Sequence, residues 1–280
     1  MKHEKKRKVE GFIALLLSTL AAIIGLFWLV FILGDVIFHG IGALNLSLFM
    51  NDPAPAGVEG GGLRNAFIGH LMITAFATII GVPVGVLGGT FLAEYARGRS
   101  ISRVISILAD IMVSVPSIII GTFIYAIMVK PIGHFSGWAG ALALAIIMIP
   151  VVLRTTEDML SLVPWTLREA AFALGAPYYK VIVQVVYRGA ATGIFTGILL
   201  SIARVAGETA PLLFTAFNNS YFSINMNGPM PSLTVSVFQY AMGPYDSWHE
   251  QAWAASLVIT LFILFITITG RLLLKWRYKR

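Results

Sequence analysis

Apolar runs of about 20 residues recur along this 280-residue chain, and no other feature constrains its fold as tightly. Inside a bilayer every backbone N–H and C=O has to be paired by the protein itself. A closed barrel meets that demand with short alternating strands, whereas these runs are continuously apolar, so helices are the spanning element. Hydrophobic residues make up 58% of the chain and charged residues only 12%, about half the charge a soluble domain carries. The runs predict six spans, over residues 11–33, 65–95, 101–129, 138–153, 190–217 and 252–274. The expected fold class is an all-α integral membrane protein, a six-span helical bundle.

The formal charge of +7 invites a nucleic-acid reading, and its placement argues against one. Lys2, Lys5, Lys6, Arg7 and Lys8 precede the first apolar run; Arg271, Lys275, Arg277, Lys279 and Arg280 follow the last; Arg97, Arg99 and Arg103 crowd one short connection. This is the positive-inside pattern, which places both termini in the cytoplasm, against the anionic leaflet. The partner is then a lipid bilayer and no nucleic acid. The first apolar run is too long for a signal-peptide core. Residues 34–63 and 218–250, rich in Gly, Pro and Asn, become the outer loops. The chain has no cysteine, which excludes a disulfide framework or a thiol nucleophile. His39, His134 and His249 have no metal-ligand spacing, so neither a metal nor a cofactor is expected.

One polar stretch, residues 164–194, interrupts the apolar pattern. Thr166 can cap a helix start, with Glu169 placed as the acid of a capping box. Ala170, Ala171, Ala173 and Leu174 favour helix, Gly175 suits the left-handed stop, and Pro177 suits the first turn of another helix. The prediction is two short helices bent sharply at Gly175-Ala176, held outside the lipid as a knob for another protein.

Glu169-Ala170-Ala171 followed by Gly175 resembles the EAA loop of MetI-like ABC-importer permeases. That resemblance implies a cytoplasmic coupling loop over residues 154–189. Arg168, Glu169, Ala170, Ala171, Gly175, Ala176 and Pro177 would dock on a separate ATPase. The family's usual proline before the next span is here Arg188. A second likeness is more specific. Ala203-Arg204 and Gly207-Glu208-Thr209-Ala210-Pro211-Leu212-Leu213 are similar to the fifth-span motif of a permease subunit of bacterial phosphate-specific ABC importers; Gly81-Val82-Pro83-Val84-Gly85 followed by Phe91-Leu92-Ala93-Glu94-Tyr95 also resembles that subunit, as does Gly61-Gly62-Leu63 leading into Gly69. It covers roughly residues 60–274. It implies a sister permease of the PstC type, two copies of an ATP-binding subunit, an extracytoplasmic phosphate-binding protein and a place in the inner membrane. Residues 1–63 would form a basic segment, first helix and outer loop, and residues 64–280 the permease core.

Arg204 and Glu208 stand one helical turn apart inside an apolar span, and each costs about 2.5–3.5 kcal/mol at mid-bilayer. Asp110 is a possible third member. One reading is a fixed ion pair that orders the bundle. The other is a polar path for an anion, because arginine offers two parallel charge-assisted hydrogen bonds to an oxyanion. The chain has no G-x-x-x-x-G-K-[ST] loop, so ATP would be hydrolysed elsewhere and this subunit would not be an enzyme. Two alternatives stay open: the same architecture serving sulfate, molybdate or phosphonate, and a proton-coupled carrier using Arg204, Glu208 and Asp110 as a relay. His70 reads as a hydrogen-bonded packing residue, and Glu94 as part of an inner gate or a cap.

Overall fold

The computed structural model describes residues 2–58 and 60–277. It is helical, with no strand among the described residues. Five helices are long and apolar enough to cross a membrane, and a bent pair makes the sixth crossing or a re-entrant segment. The elements in order are α1 (Lys2–Ala43), α2 (Ser47–Met50), α3 (Arg64–Thr90), α4 (Ser100–Ser114), α5 (Ser117–Ile124), α6 (Lys130–Ile132) and α7 (Gly137–Ser161). Then come α8 (Trp165–Ala173), α9 (Tyr178–Val181), α10 (Tyr187–Ala206), α11 (Ala210–Thr215), α12 (Leu233–Ala241) and α13 (Asp246–Arg277).

Several predicted boundaries move, each for a local reason. α1 is 42 residues long, about 63 Å, roughly twice a bilayer's hydrocarbon thickness, so it overruns the predicted span at both ends. Its end near α2 packs on the bundle: Gly40 lies against Leu257 and Trp253, and His39 stacks on the Trp253 ring at 4.8 Å. The predicted third span is two helices meeting at 100°. Pro116 has no N–H to donate and forces Val115 into extended backbone (ψ 130°), so α4 has to stop there. The fourth span does not close at Arg154; α7 runs on to Ser161. The fifth begins earlier and ends earlier than predicted, at Tyr178 and Ala206.

The core is the seam between α3 and α7. Gly81, Gly85 and Gly89 recur every fourth residue and form one face of α3. A Cβ on Gly85 would stand 2.7 Å from the Val152 Cβ, and one on Gly89 only 2.4 Å from the Leu153 carbonyl oxygen. The two backbones therefore touch, which is how membrane helices gain packing where lipid removes the hydrophobic incentive. Ile73, Ala77, Leu144, Met148, Val152 and Leu212 fill the layer around the seam. Pro83 and Pro150 sit within α3 and α7 without ending either helix. At one end of the bundle α12 and the 216–232 segment cover the start of α3; Gly69 packs on the Pro231 carbonyl and the Asn65 amide donates to the Asn219 carbonyl at 2.6 Å. At the opposite end α8 and α9 gather under the end of α3.

A leucine at Gly89 would have to push two backbones apart, an overpacking cost of about 1–3 kcal/mol or more. Gly89→Leu is expected to lower the detergent-solubilised protein's melting temperature by several degrees, while Leu87→Ala on the exposed face of α3 leaves it unchanged; differential scanning fluorimetry checks both.

Candidate functional site

The predicted bend exists. α8 ends in a Schellman arrangement: the Ala176 N–H donates to the Ala171 carbonyl at 3.2 Å and the Gly175 N–H to the Phe172 carbonyl at 2.8 Å, with Gly175 at φ +78°. The start of α8 departs from the prediction. Trp165 opens the helix behind Pro164, no side chain caps it, and the Thr166/Glu169 capping box does not form. Thr166 lies already inside the first turn, one residue past the helix start, and so is not in the N-cap position. The second helix is also not a separate knob. α9 passes through a π turn at Ile182–Val186 straight into α10, so the fifth span grows out of the bend. Arg188 sits within that continuous helix, where a proline would have cost a backbone hydrogen bond.

The predicted coupling residues divide by face. Glu169, Ala170, Gly175 and Pro177 are exposed, in company with Leu167, Phe172 and Leu174; Ala171 and Ala176 are half-buried. Arg168 alone points inward and is 1% exposed. Its Nη2 donates to Glu94 Oε1 at 2.7 Å, and both side chains are 2% exposed. The same nitrogen donates to the Leu160 carbonyl at 3.0 Å, Nη1 donates to the Val163 carbonyl, and Trp165 lies 5.5 Å from the guanidinium carbon. The Tyr178 hydroxyl donates to the Glu94 carbonyl at 2.8 Å, with the carboxylate 3.4 Å away. Glu94 belongs to a π turn, Phe91–Tyr95, that ends the α3 span. One extra residue per turn rotates the side chains beyond it by about 100°, which re-aims Glu94 toward α8. Glu94 is thus neither a helix cap nor alone; it anchors the hairpin to α3.

The predicted interior cluster is only partly assembled. α10 stops at Ala206, Gly207 to Thr209 are non-helical, and α11 restarts at Ala210. Arg204 and Glu208 therefore do not share one helix face. Their nearest approach is 4.0 Å (Nε to Oε1), with Arg204 43% and Glu208 16% exposed. Thr234 holds the break by donating its hydroxyl to the Glu208 carbonyl at 2.9 Å. Asp110 does not join them. It receives two hydrogen bonds of 2.7 Å from Arg154, which also pairs with Glu157 at 2.9 Å. Sequence reasoning took Arg154 only as the closing residue of a span; its i,i+3 spacing to Glu157 was the readable signal of a network. His70 is a buried packing residue, as predicted; the Ala206 backbone faces its ring, short of full hydrogen-bond geometry. No grouping of histidine and acidic residues fit for a metal exists among the described residues.

A broken helix, an exposed arginine at the break and a bent hairpin anchored by a buried ion pair fit a transport subunit. Residues 81–280 match the family model described as binding-protein-dependent transport system inner membrane component. A relative called phosphate transport system permease protein PstA from Pasteurella multocida is 52% identical over 96% of both chains; one of the same name from Haemophilus influenzae is 52% identical over 95% of this chain and 94% of its own. The chain belongs to this family of inner-membrane transport permeases, in its PstA branch. In three dimensions it resembles the inward-facing MetNI methionine ABC transporter, with a TM-score of 0.61 and 19% identity over 76% of this chain and 94% of that one. The fold is thus that of a MetI-like permease, and the protein is a multi-pass component of the inner membrane.

Gly175 meets no neighbour that would clash with a side chain, so a substitution there is opposed by its backbone angle alone. Valine should cost about 1–2 kcal/mol, a factor of about 5–30 in the opening equilibrium of the α8 end. Hydrogen exchange of the Ala176 amide is expected to accelerate by that factor in Gly175→Val and by less in Gly175→Asn.

Proposed function

We propose that this chain is the permease subunit of an ATP-driven importer of inorganic phosphate, forming half of the translocation path. Its membership in the PstA branch supports the substrate, and the exposed Arg204 beside a helix break is the observation that carries the reading. An anion entering lipid needs charge or donors in place of water. Arg204 supplies a guanidinium whose nearest carboxylate stands at the edge of contact, leaving its donors free for an oxyanion. The Gly207–Thr209 interruption breaks the regular helical ladder between α10 and α11, where a path can run. Glu208 keeps the empty site close to neutral and prevents the anion from being held permanently.

The subunit has no ATPase site of its own. The exposed face of α8, with Glu169, Ala170, Gly175 and Pro177, receives the ATP-binding subunit, of which the complex holds two copies. A PstC-type permease supplies the other half of the path, and a phosphate-binding protein delivers cargo at the α12 end. The hairpin end, both termini and the basic connection at Arg97, Arg99 and Arg103 lie in the cytoplasm. Residues 64–280 form the working core, and α1 with its outer connection forms a peripheral unit. Asp110, bonded to Arg154, acts on the path only through that pair. The same placement weakens the proton-carrier alternative, because the Arg204, Glu208 and Asp110 relay is not assembled.

The test is radiolabelled phosphate uptake into vesicles holding the whole complex, with ATP supplied and the proton gradient collapsed. Losing a charged hydrogen-bond donor predicts a tenfold to hundredfold loss, about 1.5–3 kcal/mol, for Arg204→Gln, with Arg204→Lys in between. Deleting residues 168–178 should abolish ATP-driven uptake while insertion persists. Wild-type uptake by Arg204→Gln would remove that residue from the path, and uptake by the deletion would refute the coupling role.

A further inference from the structure

The side-chain hydrogen bonds that fasten the hairpin to the bundle go to two neighbouring places, the last turns of the α3 span and the end of α7. Glu94, in the π turn that ends the α3 span, holds Arg168 of α8 at 2.7 Å and receives the Tyr178 hydroxyl of α9 on its backbone carbonyl at 2.8 Å. One turn earlier, Thr90 shares a hydrogen bond of 2.5 Å with the Tyr187 hydroxyl at the start of α10. Both limbs of the hairpin are therefore tied to α3 and not only to each other. The ring of Tyr95 meets Tyr178 edge-on at 5.5 Å, and the Arg97 guanidinium lies 6.0 Å from the Trp165 ring. Beyond Gly89, α3 is welded to α7 by the glycine seam.

From this geometry we propose that Glu94 is the positioning residue that makes the coupling hairpin and α3 a single lever, so that hairpin displacement reaches the α3–α7 seam and, through it, the helix break at Arg204. The inference rests on the reading of α8 as the ATPase docking element. The exposed face of α8 is free to receive a partner, and a force applied there moves whatever the opposite face holds. That face presents one long charged side chain, Arg168, whose terminal nitrogens bond to Glu94 on α3 and to the carbonyls of Leu160 and Val163 at the end of α7. A carboxylate and a guanidinium that are both sealed from water have no solvent to exchange partners with, so the contact transmits displacement without slipping. The π turn matters because a regular helix would aim residue 94 elsewhere.

Docking and transmission are separable in the whole complex in proteoliposomes. Glu94→Gln removes the charge and leaves the exposed face of α8 untouched. Hydrolysis of ATP should continue at close to the wild-type rate, while phosphate delivered per ATP falls at least tenfold. Since the chain has no native cysteine, Arg97→Cys and Trp165→Cys can be added and joined by a short, reducible bifunctional thiol reagent. Cross-linking should restore the ratio in Glu94→Gln, and reduction should remove it again. Glu94→Asp, which keeps the charge and retracts the carboxylate by one methylene, serves where the Gln variant does not insert, with a smaller loss and the same rescue. Either variant with a wild-type ratio overturns the proposal. So does an equal fall in hydrolysis and uptake that the cross-link leaves unchanged, because the pair would then only hold the docking surface in shape. If wild-type uptake itself needs no ATP, it is the coupling reading that fails.

Discussion

Two opposite charges taken out of water together, Glu94 and Arg168, hold the hairpin to the rest of the molecule. Such a pair adds little net stability, because desolvation offsets most of the attraction, yet losing one partner strands the other at a cost of about 3–5 kcal/mol. Its value lies in position. Arg168 also donates from its two terminal nitrogens to the carbonyls of Leu160, in the last turn of α7, and Val163, just beyond it, so one side chain fixes α8 against both helices of the central seam. The seam itself has almost no side-chain layer at Gly85 and Gly89. Stiffness at the hairpin and stiffness at the seam are thus consecutive parts of one mechanical element.

Against that rigid element stand two places where helices give way. Val115-Pro116 turns α4 into α5, and Gly207 to Thr209 separate α10 from α11. Irregular backbone is tolerated at membrane depth only where protein or an aqueous path meets its polar groups. The helices that follow the two breaks pack together: a Cβ on Gly121 of α5 would stand 2.6 Å from Pro211 of α11. Arg204 sits at the second break and remains accessible, whereas Arg154, shared between Asp110 and Glu157, is already neutralised by its partners. The interior therefore presents one arginine with free donors and one that braces α4 on α7.

How much of this was readable beforehand follows physical lines. Span number and type came from run length, a property of composition that lipid enforces independently of tertiary contacts. The bend at Gly175 was legible because it depends on a local backbone angle. The helix continuing from Tyr178 through Arg188 was not, because helix ends outside lipid are decided by packing against α3. Arg204 and Glu208 were rightly found at one place by their spacing, but Gly207 between them was read as helical, so the shared face was wrong. Asp110 and Arg154 are 44 residues apart, and Glu94 and Arg168 are 74 apart. No local pattern pairs such residues; only the crossing of α3, α4 and α8 over α7 does. The π turn that aims Glu94 also leaves no mark in the periodicity, since it adds a single residue to one turn.

The central claim is that α8 and α3 move as one body when the ATPase works. Leu87 on α3 and Leu174 at the tip of α8 are 68% and 88% exposed, and Phe123 on α5 is 57% exposed, so each accepts a spin label in this cysteine-free chain. Pulsed electron paramagnetic resonance on the assembled complex, nucleotide-free and trapped with ATP, should give one unchanged Leu87–Leu174 distance alongside a Leu174–Phe123 distance that shifts. A Leu87–Leu174 distance that changes with nucleotide as much as the second pair would contradict the account.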